Sequence, residues 1–299
     1  MFNTADDITI SVSEEKINKL DELLSNIDAE MAVSMSCARR AQGMSIAELQ
    51  QRLEGLNAST LRRYMQQSYR SMRPIHVVAA LSWIMMVPMT SFYHAVKLRE
   101  HYRGMDDKGI EALFCIGRLP EQQFELYLDL ITSLMSSTTR NEFERFRQKT
   151  TALVDPEIRY DDLFAPKTLD MNAFAIDYYR SIAITVKRFR HTHQISINTM
   201  ARVLGLPEKQ YIQLEDVYKV RDYSVAIGFR VKLGFNLNSH VNFTSEMRQF
   251  QQFHQLRQVQ HVRDSLMIEA LRNLDGERKI RAVEILTPLS KIYARNVTH

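Results

Sequence analysis

Lys209, Gln210 and Gln213 fall within one short segment, at spacings that share one face of a helix. A lysine donates to a guanine edge or a phosphate, and a glutamine amide pairs with an adenine edge. Asn198 and Thr199, just upstream, offer side chains and backbone N–H groups to a phosphate. A second set, Asn57, Ser59, Thr60, Arg62 and Arg63, lies in the first third of the chain. Arginine is the favoured guanine reader and a strong phosphate ligand. The chemistry these residues suit is recognition of base edges and phosphates, not bond making. Glu208 opposes phosphate, and its better use is to complement a helix N-terminus.

The segment Ile195–Glu215 must position the first set. Its sequence predicts two short helices and a tight turn. Ser196 is the expected N-cap, and Met200, Ala201 and Leu204 make an apolar stripe. Gly205 stops the first helix where a left-handed residue is cheap. Pro207 suits the start of the second, which needs no N–H there. Tyr211 and Leu214 form the inward face, and Ala201 is small where two helices approach closely.

This spacing resembles the lambda-repressor-like (Cro-type, XRE) helix-turn-helix transcriptional regulators. Their pattern is matched by Ser196 opening helix two, Ala201 within it, Gly205 in the turn and Glu215 closing the recognition helix. The resemblance implies a recognition helix in the major groove of double-stranded DNA. It also implies five-helix domains, commonly paired as dimers. An ordinary helical hairpin is the alternative for the motif alone.

Residues 28–93 look like a more divergent copy. A helix through Met35, Ala38 and Ala41 ends at Gly43, M-S-I-A-E-L-Q-Q-R-L follows, and Asn57 caps N-A-S-T-L-R-R-Y-M. Gln50 replaces the small Ala, and Glu54 adds a residue before Gly55. The apolar run 75–87 suits family helix four, and M-T-S-F-Y suits helix five. Further matches pair A-V-S-M (32–35) with A-I-T-V (183–186), Arg39 with Arg190, and the last eight residues of 119–134 with those of 274–289. They recur at offsets of roughly 150–155 residues, the sign of an internal duplication. The expected architecture is all-α: two tandem five-helix domains, each followed by extra helices. The expected boundaries are a helical arm at 1–26, the divergent domain at 27–95, a connector at 96–165, the second domain at 166–240 and a C-terminal helical segment at 241–299. The turn-rich stretch between Pro156 and Pro166 is the candidate linker.

Composition agrees with helices and sets limits. Only 9 Gly and 7 Pro occur among 299 residues, and 39 Lys plus Arg against 35 Asp plus Glu give a net charge of +4. So mild an excess means that any nucleic-acid footprint must come from clustering. Candidate clusters are 39–40, 62–63, Arg70, Arg73 and K-R-F-R at 187–190. Two cysteines, Cys37 and Cys115, give no disulfide framework, and buried free thiols are expected. M-F-N-T-A-D-D carries no signal-peptide pattern, so a cytoplasmic location is the default expectation. The run 77–89 is too short to span a membrane and contains Pro88. H-T-H at 191–193 lacks accompanying ligands, so no metal is expected, and no cofactor or catalytic motif is apparent. The reading is therefore a non-enzymatic, DNA-binding regulator whose two domains act as a pseudo-dimer; the Met- and Phe-rich helices at 75–93 or 246–271 are either faces for a further homodimer or intramolecular core. The alternative is a helical interaction adaptor, or an antitoxin-like partner, that keeps a degenerate DNA-binding fold.

Overall fold

The computed structural model describes residues 12–93, 105–237 and 241–293. The first eleven residues, which bear the signal-peptide reading, lie outside these, as does 96–104 of the expected connector. The protein is mostly helical. Its α-helices are α1 (Glu14–Leu24), α2 (Ile27–Ala41), α3 (Ile46–Arg52), α4 (Ala58–Tyr64), α5 (Ile75–Ile84), α6 (Asp107–Ile116), α7 (Glu121–Ser133), α8 (Ser137–Thr151), α9 (Met171–Thr192), α10 (Ile197–Leu204), α11 (Glu208–Leu214), α12 (Ala226–Gly234), α13 (Gln251–Arg272) and α14 (Gly276–Ile292). Two-residue strands β1 (Leu53–Glu54) and β2 (Leu169–Asp170) pair in parallel, Leu53 with Leu169 and Glu54 with Asp170. None of the described helices is long and apolar enough to cross a membrane.

The chain divides into two compact units. One holds residues 1–28, 70–77 and 172–250; the other holds 29–69, 78–171 and 251–299. In the first unit α1 packs on α12 and α10 packs on both α11 and α12. Ion pairs tie α1 down: Arg230 to Asp21 at 2.6 Å, and Arg202 to Glu14. Asp177 gathers the backbone N–H groups of Arg248, Gln249 and Phe250, all within 3.1 Å, which fixes the turn that ends this unit.

In the second unit the core is built on Trp83, Phe92, Phe124, Phe143, Tyr160 and Phe253, all nearly inaccessible. The apolar run 77–89 is buried throughout, and Phe253 and Leu256 are buried as well. These stripes are intramolecular core, which removes them as faces for a homodimer. The helix expected over 75–87 stops at Ile84, because Met86 takes a left-handed φ of 50° before Pro88. M-T-S-F-Y forms only a 3₁₀ turn, Met89–Phe92. The turn-rich stretch is anchored: Tyr160 is buried and donates to the Gly117 carbonyl at 2.6 Å.

Guanidinium groups cap several helix ends in the second unit. Arg52 donates to Ile84 O (3.1 Å) and Pro166 O (3.0 Å). Arg118 reaches Gln42 O and the Gln42 amide oxygen, just beyond α2. Arg263, clamped between the Phe124 and Tyr160 rings, donates to Ile116 O and Leu119 O after α6. Arg140 donates to Thr132 O and Ser133 O at the end of α7. The last carbonyls of a helix lack intrahelical partners and carry partial negative charge, so a planar cation with several donors satisfies both needs.

Candidate nucleic-acid interface

Two stretches of the chain follow one local plan. In the second, the end of α9 passes through Gln194 at φ 50° to the N-cap Ser196, whose Oγ accepts from Thr199 N at 3.0 Å. Helix α10 ends at Gly205, with φ 66°, where Gly205 N and Leu206 N bond back to Arg202 O and Ala201 O. That is a left-handed helix C-terminus of the kind glycine favours. A Cβ at Gly205 would meet only the movable guanidinium end of Arg230, at 2.9 Å from Cζ, so the left-handed backbone is what favours glycine here. Pro207 then takes the N-cap position of α11. Tyr211 and Leu214 are buried beneath the helix, and Ala201 is buried in α10.

In the first stretch, α2 passes through Gly43 (φ 68°) to Ser45, which caps α3 in a reciprocal capping box with Glu48. Leu53–Glu54 forms β1 where the second stretch turns directly, so the extra residue becomes a strand pinned to β2. Gly55 (φ 89°) completes the turn, and Asn57 Oδ1 accepts from Thr60 N at 2.8 Å to cap α4.

Of the residues singled out, Asn57, Ser59, Arg62, Arg63, Asn198 and Lys209 are exposed; Thr60, Thr199, Gln210 and Gln213 are half-buried. Within the second unit α4 places Arg62 and Arg63 outward, and neither has an ion-pair partner among the described residues. No Asp or Glu occurs between Glu54 and Glu100. Asn57 is occupied as a cap, and Ser59 donates to the same Asn57 oxygen at 2.7 Å. In the first unit the polar groups around α11 engage one another. Asn198 donates to Glu208 at 2.6 Å, and Arg221 donates to the Gln213 amide oxygen at 2.9 Å. Among these residues Lys209 is the exposed cation without a partner.

Several basic candidates are structural instead. Arg73 is buried; its backbone N–H donates to Asp28 at 2.5 Å and its guanidinium to Ser71 O at 2.9 Å. Arg39 donates to Met44 O, and Arg188 pairs with Glu246 at 2.7 Å. Arg190 holds Glu215 through Nε and Nη2 at 2.7 and 2.8 Å, and Tyr211 donates its hydroxyl to the same carboxylate. Burial alone would raise the Glu215 carboxyl; the Arg190 and Tyr211 hydrogen bonds more than reverse this and hold it below the usual glutamate value. Burial and the Glu215 bond push the Tyr211 phenol far up. Of K-R-F-R, only Lys187 is left exposed without an ion pair among the described residues.

Sequence reasoning missed Ile212, Tyr218 and Val220, which are 54%, 91% and 49% exposed on and just after α11. An apolar residue out of phase with the Tyr211–Leu214 face was the available signal. Cys37 is half-buried and Cys115 buried, both as free thiols. Buried His76 faces Tyr179 Oη at 2.9 Å and Asp222 at 3.7 Å; burial pulls its imidazole down to about 4 against the raising effect of Asp222. No protein-family model matches the chain, and no curated protein or solved structure matches it.

Proposed function

We propose that this protein is a sequence-specific, double-stranded-DNA-binding transcriptional regulator built from two helix-turn-helix stretches. The observation that carries the reading is α4: a capped helix after a glycine turn, with Arg62 and Arg63 exposed, unpaired and set in a stretch without carboxylates. Arg62, Arg63 and the exposed Arg70 would neutralise phosphates or reach guanine edges. In the second stretch Lys209 supplies the cation, while Asn198 and Thr199 approach the backbone from α10. One chain then carries two recognition helices and would suit an imperfect palindrome with unlike halves. A homodimer would double that number.

The test is selection of bound fragments from genomic DNA by the full-length protein across a salt series. One enriched motif, with affinity falling steeply as salt rises, is the expected result. Weak, motif-free binding lost at modest salt ends the reading.

A protein-interaction adaptor is the second reading, and one observation favours it. Leu126, Leu130 and Leu134 are 61%, 48% and 39% exposed at four-residue spacing on and just after α7. Leu130 and Leu134 line one cavity with Ile285 of α14, so these exposed apolar side chains are grouped and not scattered.

A further inference from the structure

Ile212 occupies the middle of the outward face of α11, three residues after Lys209 and next to Gln213. It is 54% exposed, while the helix is held down by buried Tyr211 and Leu214. A β-branched aliphatic side chain there does nothing for the core and leaves apolar surface in water. Gln213 adds a constraint of a different kind. Its amide oxygen accepts from Arg221 Nη1 at 2.9 Å. A guanidinium only donates, so the atom facing Arg221 must be the oxygen, and the amide NH₂ is left to donate elsewhere. Gln213 therefore presents its NH₂ with one of the two lone pairs of its oxygen already taken by Arg221. That disfavours the two-point pairing with adenine that a free glutamine makes, because such pairing uses both the amide oxygen and the NH₂.

An apolar group beside a hydrogen-bond donor has one complement among the base edges of the major groove. Thymine alone carries a methyl group, at C5, next to an acceptor, O4. We propose that Ile212 and Gln213 together read one A·T pair from its thymine side, with Ile212 on the C5 methyl and the Gln213 NH₂ donating to O4. Arg221 is then a positioning residue, because it fixes which end of the amide is offered. This assignment rests on the DNA-binding reading and gives the second stretch a thymine preference, in contrast to the guanine preference expected of arginines on α4.

The test uses the full-length protein and two random-sequence duplex libraries, one made with dTTP and one with dUTP in its place. The two differ only in the methyl group. The wild type should enrich a defined A·T pair from the first library, and its preference at that pair should fall about fourfold in the second, the worth of one buried methyl group. Ile212→Ala should show the lowered preference with thymine and no further fall with uracil. Arg221→Ala, which releases the amide, should let adenine and thymine exchange at that position. Identical motifs and enrichments from both libraries overturn the thymine assignment and leave the regulator reading standing. A motif from neither library overturns both. Undiminished selection by Ile212→Ala overturns the assignment and turns attention to a protein partner for the patch formed by Ile212, Tyr218 and Val220.

Discussion

Arg39 and Arg190 stand at matching places, each six residues before the serine that caps the next helix. Arg190 meets Glu215 and Tyr211, and the end of α11 is locked to α9. Arg39 has no such acid to meet, because Met65 follows α4 where Glu215 follows α11; among the described residues its side chain bonds to Met44 O and leaves its Nε buried without a partner. The contrast extends outward. The second stretch ties its charged side chains to neutral amides, Glu208 to Asn198 and Arg221 to Gln213. The first leaves Arg62 and Arg63 unpaired. The same local plan thus yields a helix held rigidly by its own polar groups and a helix whose cations are free for an anionic partner. Rigidity and charge are separable properties of one motif.

The largest effect that breaks this comparison is on stability. Glu215→Ala leaves Arg190 and the Tyr211 hydroxyl without their shared acceptor, and a loss of about 3 kcal/mol is expected in urea unfolding. Arg39→Met should cost well under about 1 kcal/mol, since it removes a poorly satisfied charge. Equal losses would mean that the two arginines play one role.

The next effect is on affinity, if the DNA-binding reading holds. Arg62→Ala with Arg63→Ala should weaken binding roughly 100-fold and flatten the salt dependence by about two units of slope. Lys209→Ala should weaken it about tenfold. A larger loss from Lys209 would reverse the assignment of the grip to α4.

Acidity should separate the two units. Glu215 titrates below its usual value, so its contribution is complete above the ordinary glutamate range and is lost as pH falls through the lowered folded value. His76, buried down to about 4, contributes above its ordinary value of 6.5 and loses this as pH falls towards 4. Asp264 in the second unit shows the opposite sign. Burial raises it to about 7, although Thr90 donates to it at 3.0 Å, so its contribution is lost as pH rises from the ordinary aspartate range through 7. Amide exchange, corrected for its intrinsic rate, should show α9–α11 opening more readily towards pH 4 and α13 more readily towards pH 8. Glu215→Gln should flatten only the part of the acid side below the ordinary glutamate range, and Asp264→Asn the alkaline side.

The smallest effect concerns Gly43 and Gln194, left-handed residues at matching places. Gln194→Gly should gain up to about 1 kcal/mol and Gly43→Gln should lose a similar amount, read as shifts in the urea midpoint.

Much of this was legible in the sequence. Asn57 and Ser196 act as N-caps, Gly205 is left-handed, and Tyr211 and Leu214 face inward, because each follows from local backbone chemistry. What was not legible depends on partners distant in the chain. The extra residue Glu54 reads as a longer turn until Asp170 is beside it. Arg190 reads as surface charge until Glu215 is in place, and Arg73 until its buried guanidinium is seen to donate to Ser71 O. Gln213 reads as an adenine donor–acceptor until Arg221 takes its oxygen.

The arginine-capped helix ends have a chemical consequence. Arg62, Arg63 and Arg70 are open to solvent, whereas Arg118 and Arg263 are buried with their donors on helix carbonyls. A dicarbonyl reagent that modifies guanidinium groups should therefore act in two phases. The fast phase covers the exposed side chains. The slow one is limited by opening of the second unit, since reagent must displace a helix cap before it can react. Lysine reagents have no such slow class to find at these helix ends. Arginine reactivity is thus a built-in clock for the opening of this unit, running without any label added to the chain.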